Sequence, residues 1–185
     1  MNQKTISISL PISLSASIQI LVLVGLSVLS FSIPFSVGYP QWLVGTIVNA
    51  CLFLAAIFLP QRFIIPLIIL PGLGVLSRGL VFGPLTVFLA YFLPFIWLAN
   101  LVLILVFKRY FFRSNYLLSV LFAALAKSLF LFMVANIYLE FSIVPGVFLQ
   151  SMGINQFLTA LAGGAISLII FNLYGRNNLR DKRTA

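Results

Sequence analysis

The sequence predicts an all-α polytopic membrane protein: one domain over residues 1–185, built as a six-transmembrane-helix bundle with both termini cytoplasmic. Three observations carry this expectation. Of the 185 residues, 62% are hydrophobic and only 7% are charged, whereas a water-soluble domain carries about 25% charged residues. Six continuous apolar segments follow one another, each long enough to cross a ~30 Å hydrocarbon layer with some tilt. Nine of the eleven basic residues fall in alternate connections between those segments. The segments are read as helices because a backbone in lipid must satisfy its own polar groups. They are unbroken apolar runs, not the alternating strands of about ten residues that build a membrane barrel.

The first segment, Leu14–Ile33, follows a serine-rich stretch in which Ser9 suits an N-cap and Pro11 a first helical turn. An extended interfacial lead-in over Thr5–Ser15 is the alternative. No small-x-small cleavage site follows the apolar run, so this segment reads as a retained helix, not a signal peptide. The second, Trp42–Leu59, opens on a tryptophan suited to an outer interface belt. It contains Cys51, the only cysteine, which reads as a small core residue and allows no internal disulfide. The third, Phe63–Phe82, contains Pro66 and Pro71. Its Pro71-Gly72-Leu73-Gly74 predicts a break near mid-depth, with a second half-helix beginning near Leu73. Gly79-x-x-x-Gly83 and Pro84 follow.

The fourth segment, Pro84–Phe107, carries Trp97 and Asn100 in its inner half, where packing and interhelical hydrogen bonding account for them. The fifth, Tyr116–Leu139, contains Lys127. The sixth, Gln156–Tyr174, carries Thr159, Gly163 and Ser167 at four-residue spacing, beside Ala160 and Gly164. Such a small-residue face lets helices approach closely. The apolar connection Phe141–Gly153 reads either as a lid over an outward-facing cavity or as a loop lying on the membrane surface.

Charge sets the expected orientation. Lys4, Arg62, Lys108, Arg109, Arg113, Arg176, Arg180, Lys182 and Arg183 all lie on one side of the predicted bundle, while the opposite loops hold Glu140 and no base. By the positive-inside rule that basic side is cytoplasmic, in a plasma membrane. The net charge of +9 therefore reflects topology and calls for a lipid partner, with no role for nucleic acid.

Lys127 is the residue with the most to explain. It lies about 16 Å from Tyr116 along a helix, close to the bilayer midplane. An ammonium there costs at least about 2.5 kcal/mol on insertion scales. Glu140 and Asp181 are the only acids, and both fall outside the apolar segments. Lys127 shares a helical face with Ala123, Ala124, Leu131, Val134 and Tyr138, where small residues leave room for a ligand or another helix. It is either a cation facing an anionic or carbonyl-bearing substrate, or a structural lysine bonded to carbonyls freed by the third segment's break. Arg78, toward the outer end of that segment, either snorkels to headgroups or lines the same cavity. Asn49, Asn136, Asn155 and Gln156 fall in the outer half and complete the candidate substrate-binding set. Asn136 shares a face with Glu140, roughly opposite to Lys127.

Several chemistries are excluded. Histidine is absent, which removes His-metal sites, Ser-His-Asp triads and the usual proton shuttle. No Gly-x-x-x-x-Gly-Lys-Ser/Thr phosphate loop is present, so the chain does not energise transport by hydrolysing ATP itself. Gly72-x-Gly74 lies within a membrane segment and is no dinucleotide fingerprint. The expectation is a non-enzyme without metal or cofactor.

The chain resembles the substrate-binding S components of energy-coupling factor (ECF) vitamin transporters. The resemblance spans nearly the whole length. It rests most on Pro40-Gln41-Trp42-Leu43-Val44-Gly45 entering the second segment and Met152-Gly153-Ile154-Asn155-Gln156 leading into the sixth. Where that family often carries an Ala-x-x-x-Ala docking face on its first helix, this sequence has Ser13-x-x-x-Ser17. The resemblance implies six helices with cytoplasmic termini and an outward-facing pocket for a small polar metabolite; Lys127, Arg78 and the predicted half-helix end, with no acid inside the membrane, favour an anion or an electron-rich heterocycle there. The resemblance also implies a transmembrane T subunit carrying two ATPases as partner. The competing expectation is a noncatalytic membrane scaffold in a larger complex, with Lys127 satisfied by a partner helix bearing an acid.

Overall fold

The computed structural model describes residues 14–37, 39–82, 86–111 and 115–184. The structured elements among these residues are all helical: α1 (Ala16–Ser36), α2 (Gln41–Phe58), α3 (Ile65–Phe82), α4 (Thr86–Phe111), α5 (Tyr116–Glu140), α6 (Val147–Met152) and α7 (Ile154–Thr184), with a short 3-10 turn at Gln61–Phe63. Six stretches of helix are long and apolar enough to cross a membrane, as the apolar runs predict. The expected Ser9 cap and Pro11 first turn, and Gly83 of the small-residue motif, lie outside the described residues.

Three boundaries differ from expectation for local reasons. Helix α4 continues to Phe111 instead of ending at residue 107. This extension brings Lys108 into its last turn, where Nζ donates to the carbonyl of Leu59, the C-cap of α2, at 3.2 Å. A cation is thereby set against helix-end carbonyls that have no partner within α2. Helix α7 extends from residue 154 to residue 184, beyond the apolar run. The apolar connection after α5 folds as the six-residue α6, with Phe148 and Met152 buried.

The predicted break in the third segment is not present. Helix α3 is continuous from Ile65 to Phe82 with Pro71 inside it, so no half-helix begins near Leu73. A proline removes the helical hydrogen bond to the carbonyl four residues earlier, here Leu67, and crowds the preceding turn; tertiary donors reach the next two carbonyls of that turn. Trp97 Nε1 donates to Ile69 O at 3.2 Å, and Asn100 Nδ2 donates to Ile68 O at 3.1 Å. The glycines serve helix contact instead: a Cβ at Gly74 would lie 2.5 Å from the Phe31 carbonyl oxygen of α1.

Helix α2 lies at the centre, against α1, α3, α4 and α7, and 61% of its spanning window is buried. The main core joins its Cys51–Ile57 stretch to Leu67 of α3, Leu103, Ile104 and Phe107 of α4, and Ala123 and Ala124 of α5. A second cluster, rich in aromatic residues, forms at the α6 end. Phe148 stacks on Phe92 with centroids 5.4 Å apart, and Tyr138 meets Phe92 edge-on at 5.2 Å. The small-residue face of α7 is an interhelical contact, as predicted. A Cβ at Gly163 would lie 2.7 Å from Ala50 N and 2.8 Å from Thr46 O, so α2 and α7 meet nearly backbone to backbone.

Candidate functional site

A cavity of about 590 Å³ occupies the half of the bundle nearer α6. Helices α1 to α5, α6 and the start of α7 all contribute to its wall. Its sides are mostly apolar, through Val44, Val48, Val75, Leu89, Ile96 and Met152. Exposed Gln41 and partly buried Arg78 also line it, so it reaches the protein surface at the α6 end. A volume in the 300–1,000 Å³ range with apolar walls and a few polar groups is the usual form of a small-molecule site.

Lys127 lines this cavity from mid-depth on α5, and it is 3% exposed. Its Nζ donates to Asn49 Oδ1 of α2 at 2.7 Å and to Asn100 Oδ1 of α4 at 2.8 Å. Both asparagines are 1% exposed. Each passes a hydrogen bond onward. Asn49 Nδ2 donates to Thr159 Oγ1 at 3.2 Å, and Thr159 donates in turn to Asn155 O at 2.8 Å. Asn100 Nδ2 reaches Ile68 O on α3. One ammonium thus organises a polar chain through α2, α3, α4, α5 and α7. The carbonyls beside Pro71 do receive help, but from Asn100 and Trp97, and Lys127 reaches them only through Asn100.

Two contacts account for two of the three donors of the ammonium. Both acceptors are neutral. No ion pair of Lys127 with an acid is present among the described residues, and the sequence leaves little scope for one. Glu140, at the far end of α5, is 13 residues away, about 20 Å along the helix, and Asp181 is in the last turns of α7. As an ammonium, Lys127 is hydrogen-bonded but meets no counter-charge among the described residues.

Arg78 is placed differently. Its Nη1 donates to Phe35 O at 3.1 Å and Ser36 O at 2.9 Å, the last carbonyls of α1. It both lines the cavity and caps a helix end whose partial negative charge favours a cation.

Of the seven residues singled out from sequence, the structure brings Lys127, Arg78, Asn49 and Gln156 to one cavity. Asn155 joins the polar chain through its backbone carbonyl. Asn136 and Tyr138 are outside the cavity wall. Asn136 Nδ2 bonds Phe132 O of its own helix at 2.7 Å, and Tyr138 donates to Tyr91 O at 3.2 Å among the aromatic residues of the second cluster. Tyr138 is three turns along from Lys127 on nearly the same face, but at that level the face packs against Tyr91, Phe92 and Phe95 of α4 and not against the cavity. Asn100 is the residue that sequence reasoning assigned to packing and not to the site. The signal for it was depth: Asn100 lies 11 residues before the end of α4 and Lys127 lies 11 residues after the start of α5, so the hairpin sets them level. Gln41, Ser151 and Phe148 complete the wall.

Comparison with protein-family models, curated proteins and solved structures gives no match for this chain. The site is therefore interpreted from its own geometry.

Proposed function

We propose that this chain is the substrate-binding membrane subunit of an ECF-type importer, taking a small polar metabolite into the cavity at the α6 end. The observation that carries the reading is a ligand-sized cavity, reaching the surface at one end, with a buried and unneutralised cation at mid-depth. The one-sided basic residues support an orientation in which the α6 end faces outward and both termini are cytoplasmic in a plasma membrane. With no phosphate-binding loop in the chain, energy for uptake comes from separate ATPases coupled through a transmembrane T subunit. The protein itself catalyses no reaction. Its lack of membrane-embedded acids and histidines supports binding over chemistry.

The burial of Lys127 inside the bundle also favours a solute over a scaffold's acidic partner helix. A helix packed on the outside of the bundle does not reach a side chain that is 3% exposed.

The test is affinity purification of the tagged chain from its own membranes, followed by reconstitution. A polytopic subunit and two ATPases should co-purify, and solute uptake in vesicles should require them and ATP. Concentrative uptake by this chain alone would overturn the importer reading.

A further inference from the structure

The charge balance of the cavity specifies its ligand more narrowly than its size does. Among the described residues two cations line it, Lys127 and Arg78, and no acid does. Their situations are unequal. Arg78 faces the terminal carbonyls of α1, where the helix end carries about half a negative charge. Lys127 faces two carboxamide oxygens, which orient its ammonium without neutralising it. Asn49 and Asn100 both turn oxygen toward Nζ, and their Nδ2 atoms hydrogen-bond Thr159 and Ile68 on the far side. The mid-depth end of the cavity therefore carries one unneutralised positive charge in a setting where a net charge is costly. Around it are the side chains of Val48, Val75 and Ile96, which suit a hydrocarbon or aromatic body. Neutral polar groups, Gln41, Ser151 and Gln156, lie toward the surface end.

Resting on the binding-subunit reading, we infer that the cavity takes a monoanion, a solute with a single carboxylate or equivalent acidic group. The anionic head is innermost, on the remaining Lys127 donor, and the apolar body extends toward α6. The ligand supplies the negative charge that the chain omits. A neutral amide of the same shape forms a hydrogen bond but leaves the charge unbalanced. A dianion places a second negative charge among apolar side chains.

This gives a test in which the protein can be made to supply its own counter-charge. Asn49→Asp is nearly isosteric and places a carboxylate beside Nζ. The Thr159 hydroxyl can rotate to donate to it, so the polar chain is kept. The variant should fold and melt higher than the wild type, yet lose the anion. The probes are benzoate, nicotinate and phenylacetate, each beside its neutral amide, titrated against the protein in nanodiscs. At least one carboxylate should bind the wild type about 30-fold or more tightly than its amide, the scale of losing a buried charge partner. That preference should vanish in Asn49→Asp and in Lys127→Met.

The wild-type comparison decides even where a variant does not fold. Amides binding as tightly as their carboxylates, no binding by any of the six probes, or an undiminished preference in a folded variant would each overturn the assignment. A cavity that prefers the amides would still be a solute site, so the importer reading would survive. Carboxylate binding without co-purifying ATPases would leave the monoanion assignment standing and remove the importer.

Discussion

Helix α5 carries two polar clusters about 16 Å apart along its axis, and they differ in charge and in what they border. Near its start, Tyr116 Oη lies 2.5 Å from Ser167 Oγ, and both are 2.9 Å from the Gly164 carbonyl. This triangle is neutral and closed. It joins α5 to α7 and contributes nothing to the cavity wall. Around Lys127, the cluster is charged, extends through five helices and borders a cavity. A closed neutral cluster is explained by the packing it secures. An open charged one costs more than packing returns, since buried ion sites are often matched or bettered by hydrophobic substitutes.

The strongest way to break this comparison is Asn100→Leu. It removes one of the two oxygens facing Nζ together with the donor to Ile68 O. A stability loss of about 2–4 kcal/mol is expected, because a buried charge loses a partner. Thermal unfolding in mixed micelles measures it. A variant as stable as wild type would mean that Asn49 and solvent suffice for the ammonium. Smaller is the effect expected of Tyr116→Phe, about 1 kcal/mol, the scale of one interhelical hydrogen bond in a membrane. Solute affinity should be unchanged in this variant, and a loss of binding would show that the two clusters act as one. The finest test is a double-mutant cycle between Tyr116→Phe and Lys127→Met. At this separation the two stability changes should add to within about 0.5 kcal/mol. A larger coupling would show that α5 transmits strain between its ends.

The spans were legible because lipid imposes a coarse and strict rule on composition. Lys127 was legible for the same reason, since its charge stands out against its segment. What surrounds it was not, because neutral asparagines carry little signal and only a count of depth along the α4–α5 hairpin aligns Asn100 with it. The predicted break at Pro71–Gly74 treated a local preference as decisive. Donors from α4, remote in sequence, instead reach the carbonyls around the proline and the helix runs on. Helix α6 was hidden by its own apolarity and length: a six-residue helix between Gly146 and Gly153 is under two turns, too short for its periodicity to be read. Helices α1 and α2 show the remaining gap. Both are strongly apolar, yet 17% of one spanning window is buried against 61% of the other. In lipid, apolarity is required of inner and outer helices alike, so it does not say which is central.

The polar chain also has a direction. Donation runs outward from Nζ along both arms, through Asn49 to Thr159 and Asn155 O, and through Asn100 to Ile68 O. At either asparagine a reversed amide would set its NH₂ group against an ammonium. The two side-chain carbonyls are thus locked facing the same cation, and isotope-edited infrared bands of Asn49 and Asn100 become a built-in voltmeter. When a counter-charge arrives at Nζ, both carbonyl stretches should shift together, reporting occupancy of the cavity without any label on the solute.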